Sequence, residues 1–256
     1  MIRLKTEEEI QKLRIGGQKL AKVLQATADI IKPGILTSEL NDFAHKRMIE
    51  GGGKPSFLNY SPDGVSRPYP ASLCVCINDE IVHGVPNEDP KEIKEGDIVT
   101  LDGGFIYEGL FTDHAITVAV GEVSKEINEL IQRTKEALNA GIKQCVIGNR
   151  IGDISAAIEA VGVKSGLSVI HNLTGHGVGY DVHEDPYVPN EGQKGTGEVI
   201  EEGLVIALEP MFSLGKPQVA LAKDGYTYVT EDGSISAQCE HTVAVTKDGP
   251  VVITGI

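Results

Sequence analysis

The sequence predicts an α+β protein in which two related halves build one curved antiparallel sheet with helices on its outer face. Three observations support this prediction: a pair of helical segments in each half, strand-like runs after each pair, and a repeat between those runs. No linker-like segment separates the halves. We therefore expect one domain over residues 1–256, with pseudo-symmetric halves at about 1–122 and 123–256.

The first half opens with two predicted helices and a loop. Apolar side chains recur with a helical period over residues 6–31, and Thr6 with Glu9 forms a capping box at the start. A second helix is expected at about 37–50, where three glycines follow. Residues 54–70 are rich in Pro, Ser, Asp and Gly, which predicts a long irregular loop.

Two further helices and a series of strands complete the predicted order. The helices fit at about 124–144 and 153–162, and residues 148–154, which lead into the second of them, correspond loosely to 34–40 in the first half. The strand-like runs lie at 72–77, 97–107, 111–120, 167–172, 203–211, 217–221, 235–246 and 250–253.

An internal repeat relates strands of the two halves. Residues 95–102 (EGDIVTLD) resemble 202–209 (EGLVIALE), because each begins with Glu-Gly, continues as an apolar strand and ends in an acid. Residues 113–118 (DHAITV) resemble 240–245 (EHTVAV), where an acid and a histidine lead into an alternating strand. Acids at matched strand positions favour a true repeat over a chance likeness between short apolar strands.

Composition and charge limit the function classes. The chain has 256 residues, with 23 Lys+Arg against 37 Asp+Glu and a formal charge of −14, which argues against a nucleic-acid binder that neutralises phosphates. The sequence shows no secretory signal and no apolar run long enough to span a membrane, and its four cysteines form no C-x-x-C pair. We expect a cytoplasmic protein with reduced thiols.

Four acids are notable because they occupy or end apolar strands. They are Asp102 and Asp113 in the first half and Glu209 and Glu240 in the second. A carboxylate in such a place is costly unless it is paired or binds a metal. Any one of them fits a solvated strand end, but a pseudo-two-fold axis would bring all four together. The acids therefore predict a cation site.

Histidines supply a nitrogen ligand for such a site. His176 lies between two glycines, which leave its ring uncrowded. His114 and His241 each follow an acid, so strand alternation turns them away from the site. Four oxygen ligands and one neutral nitrogen suit a pair of first-row divalent ions bridged by carboxylates. The sequence has no H-E-x-x-H motif, cysteine zinc site, G-x-S-x-G elbow or phosphate-binding loop.

Five short motifs are weak singly and highly specific as an ordered set. They are Ile77–Pro86, Leu101-Asp102 with Asp113 eleven residues later, Gly175–Gly177 with His183–Pro186, Leu208–Met211, and Ser236–Thr242. With these motifs the sequence resembles methionine aminopeptidases of the short, type I class, from about residue 5 to 253. The resemblance implies the pita-bread (creatinase/aminopeptidase-like) fold and removal of the N-terminal methionine from nascent proteins and peptides.

The resemblance also implies roles for individual residues. Two divalent ions (Co, Mn, Fe or Zn) would be bound by Asp102, Asp113, His176, Glu209 and Glu240. Asp113 and Glu240 would bridge the two ions. A hydroxide between the ions would attack the first peptide bond while Glu209 acts as general base. His183 would hydrogen-bond the carbonyl oxygen, and His83 would contact the scissile amide.

By the same resemblance, a pocket beside these histidines would bind the substrate side chain. Its walls would be Phe57, Tyr60, Tyr69, Cys74 and Tyr226, with Val182 nearby. Several positions depart from the family pattern, which puts the shape of the pocket in question more than catalysis. Residues 61–68 resemble an insertion in the pocket loop, Phe57 replaces a frequent Cys, Val182 a frequent aromatic and Tyr226 a frequent Trp.

Further expectations concern ions and partners. Asn78 and Ser236 match positions that bind a monovalent cation in relatives of this family. The resemblance implies that the partner is the N-terminal Met of nascent polypeptides, with a transient ribosome contact. We expect a monomer that binds neither a membrane nor a specific nucleic-acid sequence.

Two alternatives remain open from the sequence. An X-Pro aminopeptidase or proline dipeptidase of the same fold usually carries an extra N-terminal domain. It also usually has Arg and Asp near the last glutamate, where this chain has Gln238 and His241. A non-catalytic binding relative is the second alternative, and it would typically have lost several of the ligands that are intact here.

Overall fold

The computed structural model describes residues 1–61 and 67–256. Residues 62–66, which hold most of the predicted insertion at 61–68, lie outside the described residues. In the described ranges the helices are α1 (Glu7–Ala28), α2 (Thr37–Glu50), α3 (Lys125–Ile142) and α4 (Ile151–Ser165). Helix α1 has the predicted capping box between Thr6 and Glu9, which satisfies amides of its first turn.

The described strands lie in two groups that follow the helix pairs. Those of the first half are β1 (Lys54–Pro55), β2 (Cys74–Ile77), β3 (Glu80–Val82), β4 (Ile98–Tyr107) and β5 (Leu110–Ala119). Those of the second half are β6 (Ser168–Val169), β7 (Thr174–Gly177), β8 (Glu184–Pro189), β9 (Val205–Leu208), β10 (Met211–Ser213), β11 (Val219–Leu221), β12 (Tyr228–Thr230), β13 (Ser236–Gln238), β14 (Glu240–Thr246) and β15 (Gly249–Val252).

Nine of the described strands form one antiparallel sheet. Its order is β1-β4-β5-β14-β9-β7-β8, with β2 paired to β4 and β15 paired to β14. Two three-stranded sheets, β13-β10-β6 and β11-β12-β3, complete the β-structure of the described residues. The central sheet therefore combines strands of both halves, as the repeat predicts.

Strand β4 identifies the face of the sheet that the helices cover. A Cβ atom at Gly103 would lie 3.2 Å from Leu24 of α1 and 3.2 Å from Met48 of α2, so this residue faces the helices. Its neighbour Asp102 points the opposite way because side chains alternate along a strand. The face opposite the helices is therefore the one that carries the acid.

The two halves begin their second helix in the same way. Gly34 and Gly148 have φ angles of +92° and +91°, a backbone conformation that residues other than glycine rarely adopt. Their amides donate to the carbonyls of Ile93 and Ile200, at 2.8 and 3.0 Å. The correspondence predicted between these segments is thus repeated in backbone geometry.

The halves meet where β5 pairs with β14. His114 lies opposite His241 in this pairing, and their rings stack with centroids 4.6 Å apart and planes 8° apart. The Nδ1 atom of His114 also bonds the carbonyl of Glu240. The pair lies on the strand face opposite to Asp113 and Glu240, as alternation predicts.

The sequence does not predict five of the described strands, β1, β3, β7, β8 and β12. Strand β7 reads Thr-Gly-His-Gly and β8 contains two prolines, so neither has strong strand propensity. Two predicted strands are each divided in the structure, 203–211 into β9 and β10, and 235–246 into β13 and β14. No helix in the described part of the chain has the length and apolar character needed to cross a membrane.

Candidate metal centre and its cleft

The four predicted acids converge on one face of the central sheet. Asp102 on β4 and Glu240 on β14 both lie opposite Ala115 of β5, whose small side chain separates them. Asp113 precedes Ala115 by two residues and therefore shares its face. Glu209 directly follows β9, the other neighbour of β14. The sheet register thus brings together acids that are far apart in sequence.

These carboxylates are buried without cationic side chains. Asp102, Asp113 and Glu240 are 6%, 4% and 2% exposed, and the side chain of Glu209 is 11% exposed. In the described ranges, no Lys or Arg forms an ion pair with any of them. Such burial of like charges is costly unless a cation compensates for it.

The environment of the acids raises their pKa values. Burial raises the pKa of Asp102 to about 7. For Asp113 and Glu240 burial is again the main cause, and repulsion between neighbouring carboxylates raises their pKa values further. Glu209 has a raised pKa for the same two reasons. Without a bound cation, the cluster therefore retains protons that exposed carboxylates would lose.

His176 directs a bare nitrogen at the acids. Its Nδ1 lies 2.9 Å from the carbonyl of Gly177, to which it donates, and burial lowers its pKa to about 3, so the ring is neutral. Its Nε2 is then an acceptor, yet it lies 3.5 Å from Glu209 Oε1 and 3.9 Å from Asp113 Oδ2. Acceptors that face one another in this way need a proton or a metal ion between them.

Unpartnered atoms and ligand geometry test whether a metal fits. Ligand atoms of Asp113, His176 and Glu240 all lie within 4.8 Å of one another. Asp102 Oδ1 and Glu240 Oε1 are buried without a hydrogen-bond partner. Carboxylate oxygens with one imidazole nitrogen suit first-row divalent ions. The residues present therefore fit a divalent metal centre.

Glycines allow His176 to reach this position. Strand β7 lies between β9 and β8, and a Cβ at Gly175 would lie 2.3 Å from the carbonyl oxygen of Ala207. A Cβ at Gly177 would lie 2.2 Å from the carbonyl oxygen of Asp185. Only glycine permits such close backbone approach on both sides of the histidine.

Two further histidines line the cleft next to the acids. The ring of His183 lies 4.4 Å from that of His176, between centroids, and its Nδ1 lies 2.9 Å from the hydroxyl of Tyr60. His83 follows β3 with a φ of +59°, and its ring lies 5.8 Å from that of Tyr228. Burial and the neighbouring His183 lower the pKa of His83 to about 4, so it is neutral at physiological pH.

The cleft has a volume of about 570 Å³, with the acids at one side and aromatic residues at another. The five predicted pocket residues all line it: Phe57, Tyr60, Tyr69, Cys74 and Tyr226. Tyr69 makes edge-on contacts with Phe57 and Tyr226, at centroid distances of 6.5 and 5.1 Å. Val182 packs against the same cluster.

Three residues of the cleft were not predicted from the sequence. Leu221, Gly225 and Tyr228 line it from β11, β12 and the turn between them. Strand β12 reaches the cleft by pairing with β3, next to His83. Apolar and polar residues alternate too weakly in this segment to predict that β12 pairs with β3. Tyr226 and Tyr228, two residues apart, were a signal that one face of the segment is buried.

The predicted insertion begins and ends at a closed stem. The amide of Asn59 donates to the carbonyl of Tyr69 at 2.9 Å, and the amide of Tyr69 donates to the carbonyl of Tyr60 at 2.7 Å. At its far end Arg67 pairs with Glu88. The two pocket tyrosines are therefore held next to each other even though several residues separate them in sequence.

Asn78 and Ser236, matched to a monovalent cation site, also lie together. The amide of Ser236 donates to the carbonyl of Asn78 at 2.9 Å, and its hydroxyl lies 3.4 Å from the same oxygen. Asn78 has a φ of +58°, in the left-handed region. A cation at this position stays a prediction.

The sequence profile of metallopeptidase family M24 matches residues 11–247. The chain belongs to this family. This M24 chain is therefore a metallopeptidase, a class of hydrolase. It has close relatives along its whole length. The methionine aminopeptidase of Aquifex aeolicus is 45% identical over 257 residues, which cover 99% of this chain and 98% of that protein.

Solved structures confirm the fold expected of this M24 member. The crystal structure of methionine aminopeptidase from Thermotoga maritima superposes with a TM-score of 0.95 at 39% identity, covering 100% of both chains. The prediction of the pita-bread fold is therefore confirmed. Prolidase from Pyrococcus furiosus has a TM-score of 0.77 at 21% identity, covering 99% of this chain and 65% of that one, which shows a shared fold alone.

Proposed function

We propose that this chain is a methionine aminopeptidase that hydrolyses the first peptide bond of proteins and peptides beginning with Met. One observation carries the proposal: four buried carboxylates and one bare imidazole nitrogen converge at the side of a cleft that has an aromatic wall. A metal centre next to an apolar pocket suits hydrolysis next to an apolar first residue. The full-length similarity to methionine aminopeptidases supports this choice within the family.

The metal centre would hold two divalent ions of Co, Mn, Fe or Zn. Their proposed ligands are Asp102, Asp113, His176, Glu209 and Glu240. When bound, such ions lower the pKa of water and polarise a carbonyl group, which makes peptide hydrolysis accessible at neutral pH. Asp113 and Glu240 come from adjacent strands at the junction of the halves, so both halves would contribute ligands to the ions.

Glu209 is our candidate for the general base. It is the most accessible of the four acids, and its Oε2 accepts a bond from Gln238 Nε2 at 3.3 Å. Because the side-chain amide of Gln238 is neutral, it orients the carboxylate without neutralising its negative charge. Glu209 would remove a proton from the attacking water and deliver it to the leaving amine.

His183 and His83 would act on the peptide group. If Tyr60 donates its hydroxyl proton to Nδ1 of His183, the ring carries its own proton on Nε2. That N–H would stabilise the carbonyl oxygen as charge develops on it. His83, neutral and fixed between β3 and Gly84, would contact the scissile amide.

Substrate selection would rest on charge at one end and aromatic contacts at the other. The free α-ammonium group of the substrate would lie near the acids, which favours a cation and restricts cleavage to the first residue. The thioether of Met makes favourable contacts with aromatic rings such as those of Phe57, Tyr69 and Tyr226. Nascent chains would be the natural substrates, and we expect a cytoplasmic monomer that contacts ribosomes transiently.

The experiment compares wild type with Glu209→Gln in hydrolysis of a Met-Ala-Ser peptide with added Mn²⁺ or Co²⁺. Wild type should release Met, and the variant should lose about 100-fold or more in kcat, because a general base is removed. Glu201→Gln, at an exposed position eight residues earlier, is the matched control and should retain full activity.

Two results would contradict the proposal. Wild-type protein that hydrolyses no N-terminal Met peptide with any divalent metal would exclude the activity. Faster cleavage of X-Pro peptides than of Met-Ala-Ser would assign the chain to the X-Pro branch of the fold instead.

A further inference from the structure

The N-terminal segment crosses to the second half and contacts the loop that carries His183. The amide of Lys5 donates to the carbonyl of Gly203 at 2.7 Å, which holds the segment next to β9. From there the side chain of Lys5 extends toward residues 179–184, the loop that follows β7 and carries His183. We call residues 1–5 the N-terminal strap.

Lys5 and Glu184 form a buried ion pair beneath this loop. Lys5 Nζ lies 2.9 Å from Glu184 Oε2, and each side chain is only 1% exposed. The same ammonium group donates to the carbonyl of Arg3 at 2.8 Å and lies 4.8 Å from the ring centroid of Tyr180. Burial lowers the pKa of Lys5, and Glu184 opposes this effect by favouring the charged ammonium group.

Glu184 uses its second oxygen to hold the loop itself. Its Oε1 accepts from the amides of Tyr180 and Asp181, the latter at 3.0 Å. Its Oε2 also accepts from Arg3 Nε at 3.2 Å. The carboxylate therefore closes a turn over residues 180–184 and connects that turn to the strap.

The aliphatic part of Lys5 packs against the start of the loop. A Cβ at Gly179 would lie 2.4 Å from Lys5 Cε, and Gly179 has a φ of +136°. The loop backbone can approach the strap this closely only because residue 179 has no side chain. Lys5 thus contacts the loop at both ends, at Gly179 and at Glu184.

We propose that Lys5 and Glu184 are positioning residues for His183. His183 directly precedes Glu184; its side chain is exposed in the cleft whereas that of Glu184 is buried. Anchoring Glu184 therefore fixes the direction of the His183 ring relative to His176 and Tyr60. This inference rests on the proposed function, because it assigns the strap a role in the reaction that His183 assists.

Lys5→Met is the test variant, since it keeps the side-chain length and leaves Glu184 without its buried cation. We expect kcat for Met-Ala-Ser to fall about tenfold with KM changed less than twofold, because small misplacement of a catalytic group reduces rate more than binding. Lys12→Met is the control; Lys12 pairs with Glu8 at 2.9 Å on the surface and should be replaceable without effect.

Hydrogen exchange gives a readout independent of catalysis. In protein without added metal, the amides of Tyr180 and Asp181 should exchange faster in Lys5→Met than in wild type, while amides of α3 stay unchanged. Equal exchange at 180–181, or an unchanged kcat in a folded Lys5→Met protein, would overturn the proposal. In either case an active wild type would leave the proposed function intact.

A second variant covers failure of Lys5→Met to fold. Arg3→Ala removes a partly exposed donor to the same carboxylate oxygen and leaves the buried pair in place. It should lower kcat about threefold in the same direction, again without a change in KM. If Lys5→Met cannot be purified and Arg3→Ala has the wild-type kcat, the proposed positioning role of the strap is overturned.

Discussion

At the scale of single residues, the site combines groups that would repel one another without a cation. The acids raise one another's pKa values, and His176 presents an acceptor nitrogen to acceptor oxygens. Asp102 and Glu240 each keep one buried oxygen without a partner. The two divalent ions proposed above would give these atoms partners, so metal would add to the stability of the site as well as to its chemistry.

Proton release on metal binding follows from these pKa values. Asp102, with a pKa of about 7, holds a proton in the metal-free protein below that pH and must lose it to bind a cation. Affinity for Mn²⁺ should therefore rise as pH increases toward about 7. The neutral His176, with a pKa of about 3, contributes no proton.

Calorimetric titration with Mn²⁺ in two buffers of different ionisation enthalpy measures this release. More protons should leave per Mn²⁺ at about pH 6 than at about pH 8, and Asp102→Asn should release fewer at the lower pH. A binding enthalpy that is independent of the buffer at both pH values would show that the acids are already ionised without metal.

At the scale of elements, one threonine completes the junction between β5 and β14. Thr242 is fully buried; its hydroxyl accepts from the amide of Asp113 at 2.8 Å and donates to the carbonyl of Asp113 at 2.7 Å. The main-chain pairing of β5 with β14 covers Ala115 and His114 on β5 and does not include the amide and carbonyl of Asp113. The side chain thus fixes the backbone of a proposed bridging ligand from the opposite half.

Thr242→Val should reduce both stability and metal binding. The isosteric change leaves a buried amide and a buried carbonyl of Asp113 unpaired, which costs about 2 kcal/mol of unfolding free energy. Urea unfolding and Mn²⁺ titration measure the two effects. Thr112→Val is the control, because Thr112, next to Asp113 on β5, is 2% exposed and its hydroxyl makes one long bond of 3.4 Å. Equal losses for both variants would refute a special role for Thr242.

At the scale of the molecule, the halves share a sheet and a helix. Helix α1 belongs to the first half, yet Ile10 and Leu13 pack in one cluster with Val205 and Ala207 of the second. Farther along, Leu24 of the same helix packs in the core of the first half. Apolar burial of this kind couples two halves far more strongly than surface contacts do.

We therefore expect the halves to unfold together, as one domain. Far-ultraviolet circular dichroism and fluorescence of the 7 tyrosines should give coincident urea transitions, because the central sheet runs through both halves and α1 packs against each of them. The comparison is made on protein without metal, so that ligand binding does not merge the transitions. Two resolved transitions would mean that the halves are separate folding units.

The sequence predicts the elements whose signal is local. Helical periodicity located α1 to α4 within a few residues, and apolar runs located β4 and β5 because long strands alternate clearly. The four acids were predicted to converge because matched strand positions in a repeat share a face. Strand alternation also placed His114 and His241 on the opposite face, where they stack.

Only the tertiary structure decided the features that depend on distant partners. Strand β7 is a strand because β8 and β9 pair with it, against the propensity of its own residues. Lys5 and Glu184 are 179 residues apart, and nothing near either one predicts their contact. The sequence by itself determined which residues are candidates for the chemistry, since residue type and strand phase are local properties. Their orientation was decided by long-range burial and pairing, which no local period encodes.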